Sequence, residues 1–352
     1  MDEVYYEAID LLKKLISTPS ISRDEEKAGD VVARFLADCG FEVNRHGNNV
    51  WVTAPDYSVD KPTILLNSHI DTVKPASGWT HNPFEAEDDG EKIYGLGSND
   101  AGASVVSLIA AFRMLAVEPR QYNLLFLASC EEEVSGKNGI ESVLPLLPEI
   151  AVAIVGEPTQ MHPAVAEKGL MVLDGEVKGK AGHAARNEGV NAIYEAIPVI
   201  ETLRNLTFPV ESAFLGPVKI SVTQIAAGTQ HNVVPDACRF VVDVRTTDAY
   251  TNEETLSLIS EAVPQAHLVA RSTRLRPSSI SDSHPLVGRL KMSGRKPFGS
   301  PTLSDQALMP FQSVKIGPGA SARSHTADEF IYKSEIREAI QLYYSLLKDL
   351  SI

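Results

Sequence analysis

Residues 101–128 read AGASVVSLIAAFRMLAVEPRQYNLLFLA, and this stretch decides the class of fold. Residues 101–116 have the length and apolar composition of a helix, and residues 122–128 form a short apolar run typical of a buried strand. Similar runs elsewhere predict strands at 49–53, 62–67 and 151–156, and helices at 4–17, 24–39 and 333–350. This alternation predicts an α/β fold with a mostly parallel or mixed sheet that is largely buried.

A different order of elements occupies the middle of the chain. The pattern predicts a strand, a helix, two strands, a helix and a strand, at 170–178, 189–205, 217–226, 237–245, 252–263 and 266–272. This β-α-β-β-α-β order is the split βαβ pattern of a ferredoxin-like α+β unit. We therefore predict a domain of residues 169–276, inserted into a first domain made of residues 1–168 and 277–352.

Charge and cysteine content argue against several classes of protein. The 352 residues include 32 Lys and Arg against 46 Asp and Glu, and the net charge of −14 argues against nucleic acid or anionic membranes as partners. No apolar run approaches the roughly 18 residues that span a membrane, and the N-terminus does not resemble a secretory signal. Cys39, Cys130 and Cys238 form no paired framework. Together these features predict a reduced, cytoplasmic setting.

Histidine and acidic side chains follow the predicted strands. His69 and Asp71 come after the strand at 62–67, and their spacing of two places both side chains on one side of an extended segment. Taken alone, the pair is explained by a histidine with a hydrogen-bonded carboxylate neighbour. It is also the arrangement of a metal-ligating imidazole held by a second group. Asp100, just before a predicted helix, suits an N-cap as well as a ligand.

Further acids follow the next two strands. The segment SCEEEVSG (129–136) places three glutamates after one strand, and Glu157 ends the next one. His325 lies in the glycine-rich loop GPGASARSHTADEF (317–330). Because ligands of open α/β sheets bind at the carboxyl ends of the strands, we expect these side chains to share one site.

Chemistry limits what such a set can bind. Histidines and carboxylates without a cysteine motif suit zinc, or manganese or cobalt in its place. Five ligands in the order His, Asp, Glu, Glu, His are too many for one catalytic zinc, but they suffice for two ions if one carboxylate bridges them. A further carboxylate could then act as a general base toward a bridging water.

Taken together, these motifs resemble those of a known family. The sequence is similar to the di-zinc aminoacylase and carboxypeptidase family, which includes acetylornithine deacetylase and succinyl-diaminopimelate desuccinylase. The resemblance covers essentially the whole chain, and its anchors in order are SHIDTV, GSND, CEEEVSG, GEPT, GHAA and SHTADEF. It implies a zinc-peptidase-like α/β catalytic domain that carries an inserted dimerisation or lid domain, two Zn²⁺ ions (Co²⁺ or Mn²⁺ in their place) and a homodimer.

The resemblance also implies a role for each residue of the site. Asp100 would bridge the two ions, His69 and Glu157 would complete one metal site, and Glu133 and His325 the other. Three residues would be catalytic. Asp71 would orient His69, and Glu132 would act as the general base. His183 would reach the neighbouring subunit and stabilise the oxyanion. Asn232 and Arg245 match positions linked to substrate carboxylate binding or to the dimer interface.

Two departures from the family pattern matter. Where the family often has Met-Lys-Gly after the bridging aspartate, the chain reads DAGA (100–103) and so loses a lysine but no ligand. The family often has Asp before its base and ligand glutamates, and here Glu131 stands there. Because the triplet is uniform, the assignment could slip by one residue, with Glu131 as base and Glu132 as ligand.

The implied activity is metal-dependent removal of an N-acyl group from an amino acid. The resemblance favours N2-acetylornithine, or N-succinylornithine or N-acetyl-lysine, in arginine or lysine biosynthesis. The alternatives are succinyl-diaminopimelate desuccinylase, a di-zinc dipeptidase or carboxypeptidase, and a non-catalytic relative, which the full ligand set argues against. A succinyl group would need an extra cation, for which the candidates are Lys168, Arg186, Arg245, Arg271, Arg274, Arg276 and Arg323.

Overall fold

The computed structural model describes residues 1–186 and 188–352, and these residues form two compact units. The first unit consists of Met1–Val165, Ser279–Phe298 and Ser304–Ile352. The second consists of Ala166–Ser278 with the short segment Gly299–Leu303. In the described ranges no helix is both long and apolar enough to cross a membrane.

Side-chain caps or favourable end charges mark the termini of several α-helices. In α1, Asp2 and Glu3 lie in the first turn and Lys13 and Lys14 in the last, so the charges complement the helix dipole. The helices are α1 (Asp2–Ile16), α2 (Glu26–Asp38), α3 (Ala103–Ala116), α4 (Ile140–Val143), α5 (Ala192–Asn205), α6 (Asn252–Ala262), α7 (Pro285–Met292) and α8 (Lys333–Leu347).

The strands are short, and those at the centre of the first unit are buried along their whole length. They are β1 (Val43–His46), β2 (Asn49–Thr53), β3 (Thr63–His69), β4 (Glu87–Asp88), β5 (Lys92–Tyr94), β6 (Asn123–Ser129), β7 (Val152–Val155), β8 (Ala164–Glu167), β9 (Gly169–Lys178), β10 (Lys219–Ala227), β11 (Ala237–Thr246), β12 (Ala266–Ala270), β13 (Ser278–Ser279), β14 (Phe298–Ser300), β15 (Ser313–Lys315) and β16 (Phe330–Tyr332).

The first unit is built on a mixed sheet whose centre is parallel. Within the described residues its strand order is β1-β2-β6-β3-β7-β15-β8-β13. Strand β3 pairs in parallel with both β6 and β7, whereas β2 pairs with β6 antiparallel. The register sets His69 beside Ser129, so β3 and β6 end at the same edge of the sheet. The predicted α/β class with a mixed sheet is confirmed.

Both faces of this sheet are covered, which explains why its strands are continuously apolar. Side chains of β6 alternate, with Leu124 and Phe126 in the cluster that includes α1, α3 and α8, and Leu125 and Leu127 in a second cluster with α4. Helix α3 packs on both α1 and α8 and is buried almost all round. The central strands of the sheet are therefore packed on both faces.

The second unit has the element order β-α-β-β-α-β that the pattern predicts. Its antiparallel sheet runs β10-β11-β9-β12 in the described residues, and α5 and α6 contribute to one apolar cluster with β9 and β11. Strand β9 alternates buried and more exposed residues, as expected of a sheet with one covered face. Outside the apolar cluster, the exposed Arg239 pairs with the half-buried Glu176, and Arg271 pairs with Asp174.

Several short elements escaped prediction from the sequence. Strand β8 and strand β15 are only four and three residues long, below the length at which alternation identifies a strand. Helix α7 follows the polar segment at 277–285, with Pro285 at its first turn and the His284 side chain accepting a hydrogen bond from Leu286 N. Tertiary pairing rather than local pattern stabilises the two strands.

Candidate metal centre

Two histidines and four acids of the first unit converge beyond the ends of β3, β6 and β7. His69, the last residue of β3, is 1% exposed. Its Nε2 lies 3.3 Å from Asp100 Oδ1, 3.5 Å from Glu157 Oε1 and 3.9 Å from Glu132 Oε2. One buried imidazole nitrogen thus faces three carboxylates.

His325 approaches the same cluster from the C-terminal loop. Its Nε2 is 3.0 Å from Glu133 Oε2 and 3.7 Å from Asp100 Oδ2, and its side chain is about half exposed. The two oxygens of Asp100 therefore face different histidines, Oδ1 toward His69 and Oδ2 toward His325. Asp100 is not the N-cap of α3, which is Gly102, so the competing explanation for this aspartate fails.

The spacing of donor atoms fits metal coordination. Among the described residues, one group able to hold an ion combines His69, Glu132 and Glu157, and another combines His69, Asp100 and Glu133, with donor atoms within 4.8 Å of one another. The buried Oε1 of Glu157 accepts a hydrogen bond from no residue that the structure describes. A buried carboxylate oxygen without a donor is costly unless a cation binds it, so these residues fit a metal ion.

Several side chains of the cluster have strongly shifted pKa values. Burial raises the pKa of both Glu132 and Glu157 well above the usual value, and the neighbouring carboxylates raise these pKa values further, against the lowering effect of His69. Burial alone would lower the pKa of His69, but its hydrogen bonds to Asp100 and Asp71 raise that pKa well above the usual value. A bound cation would offset the repulsion between the neighbouring carboxylates and would lower their pKa values, which favours their ionised forms.

Asp71 binds more than the histidine that it was predicted to orient. Nδ1 of His69 lies 2.9 Å from the backbone oxygen of Asp71 and 3.5 Å from its carboxylate Oδ1. The carboxylate accepts hydrogen bonds from the N–H groups of Glu132, at 3.0 Å, and Glu133, at 3.2 Å, and from the Ser22 hydroxyl at 2.7 Å. Asp71 therefore connects the end of β3, at His69, to the backbone of Glu132 and Glu133.

Glu131 faces away from the cluster. Its Oε1 accepts a hydrogen bond from Asn138 Nδ2 at 2.9 Å, and its N–H donates to Glu25 Oε1 at 3.3 Å. With a φ of 55°, Glu131 adopts the left-handed conformation directly before the short helical turn that contains the next two glutamates. Glu132 and Glu133 consequently face His69 and His325, whereas Glu131 does not. This geometry favours the unslipped assignment of the triplet.

The remaining three predicted site residues lie in the second unit. His183 is exposed, and the N–H of the next residue, Ala184, donates to the backbone oxygen of Asn232 at 3.0 Å. Arg245, on β11, forms an ion pair with Asp243, with Nε 2.9 Å from Oδ1. The fold of this unit thus brings His183 and Asn232 into adjacent segments, and it places Arg245 elsewhere in the same unit, beside an acid.

Sequence reasoning missed several buried polar residues around the cluster. Asp305 is buried and accepts a hydrogen bond from Ser129 Oγ at 2.5 Å, and burial raises the pKa of Asp305 to about 6. Glu329 is also buried, and burial and the charge of Asp100 raise its pKa to about 8, against hydrogen bonds from backbone N–H groups. The other acids are predicted because each follows an apolar run or lies just before a predicted helix. Asp305 and Glu329 follow no predicted strand, so the sequence pattern does not identify them.

Residues 65–349 match the model of peptidase family M20/M25/M40. Acetylornithine deacetylase of Proteus mirabilis (strain HI4320) is 28% identical over 380 residues, covering 97% of this chain and 96% of that enzyme. Succinyl-diaminopimelate desuccinylase of Wolbachia pipientis wMel is 28% identical over 264 residues, covering 70% of this chain and 65% of that enzyme.

Likeness to solved structures agrees with the fold. The crystal structure of the Bacillus subtilis YXEP protein, a dinuclear metal-binding peptidase from the M20 family, has a TM-score of 0.74 at 18% identity, covering 99% of this chain and 100% of that one. At this identity the likeness bears on the fold alone. Because the family model matches well over half of its residues, the chain belongs to peptidase family M20/M25/M40 and is a hydrolase that acts on amide bonds.

Proposed function

We propose that this chain is a two-metal deacylase that removes the acetyl group of N2-acetylornithine. The observation that supports it is the position of Asp100, whose two oxygens face His69 and His325 while Glu132 lies beside the same cluster. A carboxylate between two ligand sets is what a two-metal hydrolase needs. The full-length similarity to acetylornithine deacetylase supports the substrate.

In this proposal each predicted ligand keeps its role. His69 and Glu157 would hold one ion and Glu133 and His325 the other, with Asp100 placed to be shared between them. The chemistry of the donor set suits Zn²⁺, with Co²⁺ or Mn²⁺ as substitutes. When bound, the ions would polarise the amide carbonyl and lower the pKa of an attacking water. The dinuclear YXEP protein, which shares the fold, is consistent with two ions.

The residues would move protons as follows. Glu132 Oε2 takes a proton from the water, whose oxygen bonds to the acyl carbon, and later gives that proton to the amine nitrogen as the carbon–nitrogen bond breaks. Asp71 holds the N–H groups of Glu132 and Glu133 and the His69 ring. His183 of a neighbouring subunit hydrogen-bonds the oxyanion. The products are a carboxylic acid and a free amino acid.

The second unit serves substrate binding and dimer formation in this proposal. Asn232 and Arg245 would contact the substrate carboxylate or the partner, and Arg245 would have to leave its two hydrogen bonds to Asp243 to do so. The second unit would form a homodimer. The proximity of the His183 and Asn232 segments supports a shared role. The three free cysteines fit a reduced, cytoplasmic setting, and the similarity to acetylornithine deacetylase supports a place in arginine biosynthesis.

A second candidate is succinyl-diaminopimelate desuccinylase, which the Wolbachia relative supports. The structure gives this candidate less support because several arginines already pair with acids. Arg323, two residues before His325, donates to both carboxylate oxygens of Glu335, at 2.7 and 3.1 Å. Arg271 likewise makes two hydrogen bonds to Asp174. An arginine in such a pair is less available to a succinyl carboxylate.

The decisive experiment compares hydrolysis of acetylornithine, succinylornithine, succinyl-diaminopimelate and a dipeptide panel, with zinc or cobalt added. We expect acetylornithine to have the highest kcat/KM. Faster hydrolysis of succinyl-diaminopimelate would favour the second candidate, and faster hydrolysis of dipeptides would favour a peptidase of the same family. Hydrolysis of none of these compounds would overturn the proposal.

A further inference from the structure

Glu329 is a buried carboxylate that the proposed reaction does not use. It is 2% exposed and lies in the same C-terminal loop region as His325. Its Oε1 accepts hydrogen bonds from the backbone N–H groups of Asn99, at 2.8 Å, and Asp100, at 2.9 Å. Its Oε2 accepts one from Gly97 N–H at 3.2 Å. Three main-chain donors thus converge on one carboxylate, as in an anion-binding nest.

The backbone that Glu329 binds is irregular. Residues Ser98–Gly102 form one π-helical turn, in which Asp100 has φ −124° and ψ 96°, outside the helical region. N–H groups in such a turn lack the regular acceptors of a helix interior, and buried ones need a partner. Glu329 is that partner for Asp100, the residue that carries the proposed bridging carboxylate.

Asn99 makes a second connection between the same two segments. Its Oδ1 accepts a hydrogen bond from Ala320 N at 2.9 Å, and its Nδ2 donates to Ala320 O and to Ser324 Oγ, both at 3.2 Å. Ser324 directly precedes His325. The turn that carries Asp100 and the loop that carries His325 are therefore joined through buried side chains on both sides.

We infer that Glu329 is a positioning residue, which holds the backbone at Asp100 so that this carboxylate faces both His69 and His325. Asp100 Oδ1 lies 3.3 Å from His69 Nε2, and Asp100 Oδ2 lies 3.7 Å from His325 Nε2. Both distances depend on the position of the Asp100 backbone. The inference rests on the proposed two-metal function, because only there does Asp100 bridge two ions. Both oxygens of Glu329 accept hydrogen bonds from main-chain N–H groups, so Glu329 would act through the backbone at Asp100 and not as a ligand.

Glu329→Gln is the first test, because it keeps the shape of the side chain while it replaces one carboxylate oxygen, an acceptor of main-chain hydrogen bonds, with an amide group that can only donate. Titration of the metal-free protein with Co²⁺ should show binding of at least one ion weakened by about 10–100-fold, the usual effect of losing an outer hydrogen-bond partner of a ligand. The absorption spectrum of bound Co²⁺ should change. With acetylornithine, kcat should fall while KM stays near the wild-type value.

Asp328→Asn is the matched control. Asp328 is adjacent in sequence and also accepts three hydrogen bonds, from Thr80 N at 2.8 Å, Thr80 Oγ1 at 2.7 Å and His81 N at 3.1 Å. These donors belong to a different loop from Asp100. We expect Asp328→Asn to bind Co²⁺ with the wild-type affinity and spectrum, even if its Tm is lower.

The outcomes separate this inference from the proposed function. Wild-type Co²⁺ affinity and spectrum in Glu329→Gln, or equal losses in both variants, would overturn the positioning role and leave the two-metal proposal intact. If Glu329→Gln does not fold, Glu329→Asp should show an intermediate loss of Co²⁺ affinity, and an unchanged affinity would overturn the inference. A wild-type protein that binds no Co²⁺ would contradict the proposed function and this inference with it.

Discussion

Three consecutive glutamates have three different surroundings. Glu131 is hydrogen-bonded to Asn138, Glu132 faces His69, and Glu133 lies 3.0 Å from His325. The left-handed φ of Glu131 separates the first of them from the other two. Because the three side chains are chemically identical and differ in position and partners, substitutions at single positions can separate their proposed roles.

At the residue scale we expect Glu132→Gln to bind metal and lose turnover. The amide keeps the shape of the side chain but cannot accept a proton, so kcat should fall about 100- to 10,000-fold. Metal content by elemental analysis and kcat with acetylornithine would be measured together.

Glu131→Gln is the control for that experiment. Its amide oxygen can still accept the hydrogen bond from Asn138, so activity should stay near that of the wild type. Loss of activity in Glu131→Gln with retention in Glu132→Gln would show that the assignment of the triplet slips by one residue.

At the element scale, Asp88 of β4 joins the two terminal helices of the first unit. Its carboxylate pairs with Lys13 of α1 at 2.7 Å and with Lys333, the first residue of α8, at 2.8 Å. Burial raises the pKa of Asp88, but the hydrogen bonds from Lys13 and Lys333 outweigh burial and hold this pKa well below its usual value. The ionised form is therefore favoured in the folded state.

We expect Asp88→Asn to lower the free energy of unfolding by about 1 kcal/mol near neutral pH. A depressed carboxyl pKa contributes stability above the unfolded-state pKa, and this contribution is lost as the pH falls toward the folded-state pKa. The difference between variant and wild type should therefore shrink from about pH 5 to about pH 3. Urea unfolding at both pH values would measure it, and a constant difference would contradict the ion-pair explanation.

At the scale of the whole molecule, the proposed homodimer predicts complementation. Glu132→Gln and His183→Ala should each be inactive, because each dimer lacks one component at both sites. After subunit exchange, mixed dimers would contain one complete site, so an equal mixture should recover about a quarter of the wild-type activity. Activity after mixing, with size-exclusion chromatography, would measure this. No recovery despite exchange would mean that His183 acts within its own subunit or not at all.

Metal removal should affect both activity and stability. Dialysis against a chelator should abolish hydrolysis and lower Tm, because an ion that binds only the folded state stabilises it, by about 4 kcal/mol at a thousandfold excess over its Kd. Adding Zn²⁺ or Co²⁺ back should restore both. Full activity in demonstrably metal-free protein would contradict a two-metal mechanism.

The sequence alone determined the class of fold, because apolar runs and helical periodicity are local properties of the chain. It also predicted which acids to consider, since residues that follow parallel strands meet at one edge of the sheet. The family was indicated by the resemblance of six ordered motifs, and the match over residues 65–349 confirms it.

Only the tertiary structure decided which oxygen faces which nitrogen and which buried acids support the site. The Asp71 carboxylate binds backbone N–H groups about 60 positions away, and Glu329 binds those of Asn99 and Asp100 about 230 positions away. Such contacts leave no local pattern, because they depend on how distant segments pack rather than on the composition of either segment. The orientation of Glu131 likewise follows from a single backbone angle that its neighbours in sequence do not reveal.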